Sequence, residues 1–329
     1  MMIYYCLNNY DSLLNGDDEE SSDENLEVSR LRAVDKAVKA AVEKAAEAGY
    51  SFSFGSEMEF YLFRLDENGE PTAIPHDQAG YMDMAPEDRG ENVRREICLT
   101  LEQMGIQPES SHHESGPGQN EIDFRYADPL SAADNAVTFR TVVKTVAARN
   151  GLHADFSPRP LPEHDGSGMH INISAKKNGV EIAPTELITG ILDRICDMTL
   201  FLNPCENSYA RLGRDKAPCY VTWSEQNRSQ LIRVPAASGP YRRAELRSPD
   251  PMANPYLAYA LLIHACLYGQ EQKIALPPSA DFNVFSASPE QLMRFRRLPS
   301  SLEEAYIAAA NSDFIRAHIP TEVLEAYHR

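Results

Sequence analysis

Residues 52–63 read FSFGSEMEFYLF and place two carboxylates, Glu57 and Glu59, two positions apart. Successive side chains of a β-strand point to opposite faces of a sheet, so residues two apart share a face. Most even-numbered positions of this stretch, Met58 and Phe60 among them, carry large apolar side chains. The stretch therefore predicts a strand with one face in a hydrophobic core and both carboxylates on the other face.

The same two-residue spacing of polar groups recurs in three further segments. These are His112 and Glu114 in SHHES, Glu121 and Asp123 in NEIDF, and Glu245 and Arg247 in RRAELRSP. The turn sequence SGPGQ separates Glu114 from Glu121 and predicts a hairpin that aims both carboxylates at one point. So many carboxylates in one place need cations, and divalent metal ions are the simplest partner.

A plainer interpretation exists for each acidic pair. One face of an antiparallel sheet commonly meets water, so an isolated pair of glutamates on a strand is usually a solvated stripe. A lone histidine is likewise usually structural. The glycine-rich loop DGSG before His170 favours a site, because a ligand can approach a glycine backbone closely.

Composition limits the classes of partner. The chain has 329 residues, 43% of them hydrophobic, which is enough for one large domain or two unequal ones. Its 49 acidic and 31 basic side chains give a net charge of −18. This charge argues against nucleic acid or an anionic membrane as partner and favours a small ligand or another protein.

The six scattered cysteines form no CxxC motif and predict reduced thiols in a cytoplasmic protein. We find no signal peptide and no apolar run long enough to span a membrane.

Helical and strand signals alternate along the chain. The block NGDDEESSDEN predicts a solvated tail or linker at residues 1–25, and a helix is expected at 26–48. Further helices are expected at 90–104, 129–150, 184–202 and 254–268, and strands at 51–65, 107–114, 120–126, 154–156, 168–174 and 242–247. The pattern predicts an α+β fold with one curved, largely antiparallel sheet backed by helices.

Arginines cluster between residues 211 and 247. They include Arg211, Arg228, Arg233, Arg242, Arg243 and Arg247. Buried guanidinium groups need anions, and arginine together with divalent metal points to phosphoryl chemistry. The chain has no GxxxxGK[ST] loop, no GxGxxG after a strand and no GxSxG elbow, which argues against P-loop enzymes, dinucleotide-dependent dehydrogenases and α/β-hydrolases.

Six motifs in order resemble type I glutamine synthetase over Leu26 to Leu302. They are GSEMEFYLF, SHHESGPGQNEIDFRYADPL, GSGMHINIS, NPCENSYARL, NRSQLIRVPAA and RAELRSPDPMANPYLA. The resemblance implies an ATP-dependent ligase that joins glutamate and ammonia through γ-glutamyl phosphate. It also implies two or more Mg²⁺ or Mn²⁺ ions per site and a homo-oligomer, although a full dodecamer is not assumed.

The resemblance also assigns roles to individual residues. One metal ion is expected at Glu59, Glu114 and Glu121, and a second at Glu57, His170 and Glu245. The amino acid substrate is expected to contact Arg211, Arg247, Gly166 and Asp165. The nucleotide and its phosphates are expected to contact Tyr126, Ser174, Arg233, Arg243 and His112. Roles in catalysis are expected for Arg228, Arg247 and Lys216.

Three departures from the family pattern leave the function open. Residues 1–25 do not match the family's amino-terminal β-grasp domain, and residues 26–329 match a catalytic domain without its carboxy-terminal strap. Lys216 stands where the family has a flap glutamate that favours ammonia, and Asp165 replaces an asparagine. The chain is therefore expected to be a ligase that uses ammonia or another amine, or a non-catalytic paralogue or fragment that binds nucleotide, glutamate or a full-length relative.

Overall fold

The computed structural model describes residues 22–328, apart from the side chains of residues 22–32 and Pro240. Residues 1–21, most of the predicted acidic segment, lie outside this range, as does Cys6. The first helix, α1, spans Ser22–Glu47 and thus begins at Ser22 instead of Leu26.

Ten strands form one sheet within residues 22–328. They are β1 (Tyr50–Leu65), β2 (Pro71–Pro75), β3 (Pro108–His113), β4 (Gln119–Phe124), β5 (Leu152–Asp155), β6 (Met169–Lys177), β7 (Val180–Glu181), β8 (Trp223–Glu225), β9 (Ile232–Val234) and β10 (Ala244–Leu246). Their main spatial order is β3-β4-β1-β6-β10-β9-β8, with β2 and β5 paired to β1 and β7 paired to β6. Only β8 and β9 pair in parallel among the described strands, so the sheet is largely antiparallel.

Nine further α-helices accompany the sheet in the described part of the chain. They are α2 (Glu91–Gln103), α3 (Pro129–Arg149), α4 (Pro184–Leu202), α5 (Glu206–Arg211), α6 (Pro255–Glu271), α7 (Pro289–Leu292), α8 (Leu302–Asn311), α9 (Asp313–His318) and α10 (Thr321–Glu325). The α+β class is confirmed. The six predicted strands and the four later helices are present, with boundaries shifted by up to three residues.

One face of the sheet forms the hydrophobic core. Met58, Phe60, Ile122 and Ile171 are fully buried there, and each such side chain contributes roughly 1.5–3 kcal/mol through burial. The ring of Phe60 lies edge-on to Phe139 of α3, at 6.2 Å between centroids. The core therefore leaves the opposite face, with its polar side chains, for a site.

Helices α3 and α6 begin where their sequences place a cap. The Asp128 side chain accepts from the Ser131 amide at 3.2 Å, and that of Asn254 accepts from the Tyr256 amide at 3.0 Å. A proline follows each cap, where its fixed φ suits the first helical turn.

No helix in the range 22–328 is long and apolar enough to span a membrane. The cysteines of this range are free thiols.

Helices α4 and α6 touch backbone to backbone at a pair of glycines. A Cβ atom on Gly190 would lie 1.8 Å from the Ala265 carbonyl oxygen, and one on Gly269 would lie 2.5 Å from the Gly190 nitrogen. Two helices can approach this closely only where neither presents a side chain.

Gly190→Ala should therefore destabilise the fold, although alanine is the better helix former. We expect the clash to outweigh helix propensity and lower the free energy of unfolding by about 1–3 kcal/mol, measured by urea denaturation. Gly80→Ala is the matched control, because its Cβ would meet only Asp83 at 3.6 Å. Equal stability of the two variants would contradict the tight crossing.

Two histidines stack in the helical layer. The rings of His264 in α6 and His318 in α9 lie 3.7 Å apart and nearly parallel, and Nδ1 of His264 is buried without a hydrogen-bond partner. Burial, together with the charges of His318 and Lys44, lowers the pKa of His264 to about 3. The pKa of His318 falls to about 4, through burial and Lys44. Both imidazoles are thus neutral in the folded protein at neutral pH.

Acid should therefore weaken the fold through this pair. Between the unfolded pKa of about 6.5 and the folded value, only the unfolded chain binds the proton, so stability is lost as pH falls. At pH 5 the loss attributable to His264 is about 2 kcal/mol. His264→Phe keeps a ring in the stack and should reduce the drop in stability between pH 7 and pH 5 in urea titrations. An unchanged drop would assign the acid sensitivity to other groups.

Candidate active site

Strand pairing aligns the polar residues of the open face in rows across the sheet. The first row is His112, Glu121 and Glu59; the second is Asp123, Glu57 and His170; the third is Asn172, Glu245 and Arg233. Directly paired residues of antiparallel strands point to the same face, so β3, β4, β1, β6, β10 and β9 bring nine polar side chains together.

The hairpin between β3 and β4 sets the position of Glu114 relative to Glu121. Gly118 has φ +69°, and a Cβ there would lie 2.7 Å from the Leu62 carbonyl oxygen. The Glu114 amide donates to the Gln119 carbonyl at 2.8 Å, which closes the turn predicted from SGPGQ. Glycine is needed at this position, because the backbone is left-handed and the turn lies against β1.

Two groups of possible metal ligands share Glu121. Glu57, Glu121 and His170 offer ligand atoms within 4.8 Å of one another, and so do His112, Glu114 and Glu121. Four of these five residues come from the two expected metal sets, and His112 was expected at the nucleotide.

The carboxylates around Glu121 carry unbalanced negative charge. Burial raises the pKa of Glu121 well above its usual value, and Glu59, Asp123, Glu57 and Glu114 add to the effect. Burial and the charge of Glu57 raise the pKa of Asp123 to about 7, and its Oδ1 atom is buried without a hydrogen-bond partner. Oxygen-rich, negatively charged sites of this kind suit Mg²⁺ or Mn²⁺, so the residues fit divalent cations.

Glu57 is held as a carboxylate by its neighbours. His170 Nδ1 lies 3.2 Å from Oε2, and the Asn172 amide donates to Oε1 at 2.9 Å. Burial alone would raise the pKa of Glu57, but the hydrogen bonds and charge of these partners outweigh it and lower the pKa to about 2.

Two of the expected metal ligands lie outside both groups. Glu59 accepts from the Gly168 amide at 2.9 Å and from Gln119 at 3.0 Å. Glu245 is fully buried and ion-paired with Arg247 and with Arg233, the latter at 2.7 Å. Its Oε1 atom lies 3.8 Å from His170 Nδ1, so it adjoins the site, but arginine balances its charge.

A third group of possible ligands lies behind β3 and is internally satisfied. His113 Nε2 is 2.9 Å from Asp77, and Asp88 forms a buried ion pair with Arg94 at 2.5 Å. This network supports the turn, since Asp77 also accepts from the Gly118 amide at 2.9 Å.

A cleft opens beside the second and third rows. It is lined by Tyr126, Ser174 and Arg243, all expected at the nucleotide, and by Glu57, Asp123, Asn172 and other residues. The Arg243 guanidinium donates to Asn172 Oδ1 at 2.9 Å, which holds a cation at the edge of the cleft.

Arg211 and Arg247 lie buried on the other side of the acidic rows. Arg211 is 3% exposed and donates to the Ser248 carbonyl at 2.8 Å. The Nε atoms of both arginines are buried without a hydrogen-bond partner. A Cβ on Gly166 would lie 2.9 Å from the Arg211 side chain, so glycine allows this packing. The arrangement suits an anionic ligand.

The remaining expected residues lie at the mouth of the site. Arg228 is exposed and hydrogen-bonds Tyr81. Lys216 donates to Glu114 Oε2 at 3.0 Å and lies 3.6 Å from Asp165. Burial lowers the pKa of Lys216, but the Glu114 and Asp165 carboxylates outweigh it and raise the pKa. Lys216 is therefore a cation among acids.

Several contributors to the site were not assigned from the sequence. Asn172 follows His170 by two positions on a strand, so the same-face rule could have identified it. Asp123 was noted as half of an acidic pair but given no role. Gln119 and Tyr81 carry no local sequence signal, because folding alone brings them to Glu59 and Lys216.

A sheet with acidic ligand groups, a cleft and buried arginines on one face is the architecture of an enzyme domain that binds cations and anions together. The family model for the catalytic domain of glutamine synthetase matches residues 35–329. The chain belongs to the glutamine synthetase family, whose members are ligases that form carbon–nitrogen bonds.

Curated relatives named glutamine synthetase support this assignment. The protein from Methanosarcina mazei is 45% identical over 305 residues, which cover 88% of this chain and 68% of the relative. That from Clostridium saccharobutylicum is 45% identical over 283 residues, which cover 82% of this chain and 64% of the relative. The match thus spans about two thirds of each relative.

Solved structures agree in fold. A GmaS/ADP complex superposes with a TM-score of 0.78 at 28% identity, over 88% of this chain and 70% of that one. Plasmodium falciparum glutamine synthetase gives a TM-score of 0.76 at 22% identity, over 89% and 74%, which shows the fold alone.

Divalent cations should stabilise the folded protein through Glu121. Binding to the native state alone adds about 2.7 kcal/mol at one hundred times the dissociation constant, so Mg²⁺ or Mn²⁺ should raise the melting temperature. Glu121→Gln should abolish most of this rise, because the residue belongs to both ligand groups. Without metal, the variant should melt no lower than the parent, because the substitution removes one carboxylate from a cluster of carboxylates that repel one another.

Glu102→Gln, which changes an exposed carboxylate of α2, is the control and should keep the full metal response. If neither Mg²⁺ nor Mn²⁺ changes the melting temperature of the parent protein, the assignment of these residues as metal ligands is contradicted.

Proposed function

We propose that this protein joins glutamate to ammonia or another amine at the expense of ATP, through γ-glutamyl phosphate. The observation that carries the proposal is the junction at Glu121. Two groups of possible metal ligands meet there, between a cleft suited to a nucleotide and a pair of buried arginines. A phosphoryl donor and a carboxylate acceptor held on these two sides would face each other across the cations.

On the nucleotide side, we assign Tyr126, Ser174 and Arg243 to binding ATP. The cleft that they line is open to solvent at Tyr126, which is 41% exposed. A relative of similar fold was solved as an ADP complex, which supports an adenine nucleotide as a ligand. Arg243, anchored on Asn172, would place positive charge beside the phosphates.

On the acid side, Arg211 and Arg247 hold the carboxylate substrate. Their unpartnered Nε groups offer donors in a site that excludes water, where charge-assisted hydrogen bonds are strong. The close packing at Gly166 leaves the loop backbone, rather than a side chain, beside the substrate.

Around the phosphate, Arg228 and Arg233 supply positive charge, and His112 adjoins Glu114 at 3.3 Å and Glu121 at 3.4 Å. Mg²⁺ or Mn²⁺ ions, two or more per site, would be held by the two groups around Glu121 with Glu59 and Glu245 adjoining. When bound, they neutralise charge that develops on the transferring phosphoryl group. We further propose a cytoplasmic homo-oligomer.

A second candidate is a non-catalytic relative that binds nucleotide or glutamate, or that associates with a full-length relative. The contacts of Lys216 favour it, because this cation pairs with Glu114 and leaves one expected metal ligand partly neutralised. The buried pairing of Glu245 with two arginines points the same way.

Formation of γ-glutamyl hydroxamate separates the two candidates. With glutamate, ATP, Mg²⁺ and hydroxylamine, the parent protein should give coloured ferric hydroxamate, because hydroxylamine traps the activated carboxylate. Glu59→Ala should reduce the rate at least about a hundredfold by removing a carboxylate from the acidic rows, while Glu102→Gln should not change it. Saturable ATP binding without product above the Glu59→Ala background would instead establish the non-catalytic candidate.

A further inference from the structure

The side-chain amide of Gln119 is buried, and its donors and acceptor are all engaged. Gln119 is 1% exposed and pairs directly with Tyr61 across β1 and β4. Its Nε2 atom donates to Glu59 Oε2 at 3.0 Å and to the Gly166 carbonyl at 3.3 Å, and its Oε1 atom accepts from the Gly116 amide at 2.9 Å. The orientation of the amide is thus fixed, because exchanging its nitrogen and oxygen would set donor against donor and acceptor against acceptor.

This amide holds one of the two oxygens of Glu59. The Gly168 amide donates to the same Oε2 atom at 2.9 Å. Both hydrogen bonds that Glu59 accepts from the described residues therefore end on Oε2, and Oε1 is left for another partner. Glu59 pairs with Glu121 across β1 and β4, so its carboxylate faces the same side of the sheet as the residue shared by both groups of possible metal ligands.

The glycine-rich loop DGSG is tied to the same part of the sheet. Its Gly166 carbonyl accepts from Gln119. Its Asp165 carbonyl accepts from the hydroxyl of Tyr61, the residue paired with Gln119, at 2.5 Å. Gly166 packs on the side of the site that is proposed to hold the carboxylate substrate. Gln119 therefore connects Glu59, on the metal side, with the backbone of the loop on the substrate side.

The backbone of Gln119 holds the turn SGPGQ independently of its side chain. The Gln119 carbonyl accepts from the Glu114 amide at 2.8 Å, and the Gln119 amide donates to the Gly116 carbonyl at 2.9 Å. A Cβ on Gly116 would lie 2.0 Å from the Tyr61 hydroxyl oxygen, so glycine is what lets the turn approach the side-chain amide. A substitution at Gln119 thus removes the side-chain contacts and keeps the backbone bonds that close the turn.

We propose that Gln119 is a positioning residue with two effects. It fixes Glu59 so that Oε1 is presented to a divalent cation, and it fixes the DGSG loop beside the carboxylate substrate. Hydrogen bonds that orient a metal ligand typically change the metal affinity by roughly tenfold to a hundredfold when they are lost. The first effect concerns the cation site alone, while the second rests on the proposed ligase function.

Mn²⁺ binding, followed by electron paramagnetic resonance of the free ion, tests the link to Glu59. Gln119→Met keeps the volume of the side chain but removes its donors, so the Kd for Mn²⁺ should rise at least about tenfold. Gln119→Asn keeps an amide but is one methylene shorter, so its donors should fall short of Glu59 and the loss should be similar. Gln230→Met is the control and should keep the parent Kd, because Gln230 is equally buried but donates to the Phe282 carbonyl at 2.7 Å.

A double-mutant cycle shows whether Gln119 acts through Glu59. Glu59→Ala should itself weaken Mn²⁺ binding, and adding Gln119→Met should cause little further loss, because the amide then has no carboxylate to hold. Urea unfolding without metal reports whether each variant is folded. Additive losses would overturn the proposal, and so would a folded Gln119 variant with the Mn²⁺ affinity of the parent.

The cycle also separates the role of Gln119 from the proposed function. If Glu59→Ala weakens Mn²⁺ binding and both Gln119 variants do not, only the role of Gln119 is overturned. If the parent does not bind Mn²⁺, or Glu59→Ala binds it as tightly as the parent, the assignment of Glu59 to the cation site is overturned as well.

Glutamate binding at saturating Mn²⁺, measured by calorimetry, tests the link to the loop. The Kd for glutamate should rise about threefold to tenfold in Gln119→Met, as expected when one hydrogen bond is lost, while the Kd for ADP should change little. A general loss of structure would weaken both ligands alike. An unchanged Kd for glutamate would overturn the link to the loop, and a parent protein that binds no glutamate would overturn it together with the proposed function.

Discussion

Crowding of carboxylates on one face of a sheet is the constraint on which this structure depends. Glu57, Glu59, Glu121 and Asp123 share that face within two rows, and a largely apolar core covers the opposite face of the sheet. Burying several like charges is costly unless cations balance them. The folded state can hold these carboxylates together only because histidine, arginine, lysine and bound metal ions can supply the opposite charge.

The protein's own cations balance this charge unevenly. Arg233 and Arg247 neutralise Glu245 at one end of the site, and Lys216 approaches Glu114 at the other. Glu121 and Asp123 lie between them, and the basic group beside Glu121 is an imidazole, that of His112, at 3.4 Å. The raised pKa values of these two groups mark where external cations would contribute most. Internal charge pairing thus decides which part of the acidic face is left for metal.

Local pattern identified much of the fold and of the candidate site. The alternation in β1 and the turn SGPGQ are properties of short segments, and they appear where the sequence predicts them. The short strands β2, β7, β8 and β9 were missed, because two to five residues are too few to show a period. Gly190 and Gly269 likewise gave no sign of their contact, which depends on how two distant helices cross.

By itself, the sequence determined which residues share a face, because the two-residue repeat of a strand is a local property of the backbone. It also determined the net acidity that calls for cations and the motifs that resemble a ligase. Only the tertiary structure decided how the carboxylates are divided among partners. Strand register places Glu121 in both ligand groups. Glu245 is ion-paired with two arginines, and Glu114 is ion-paired with Lys216. Register and loop approach are set by long-range packing, which no short segment encodes.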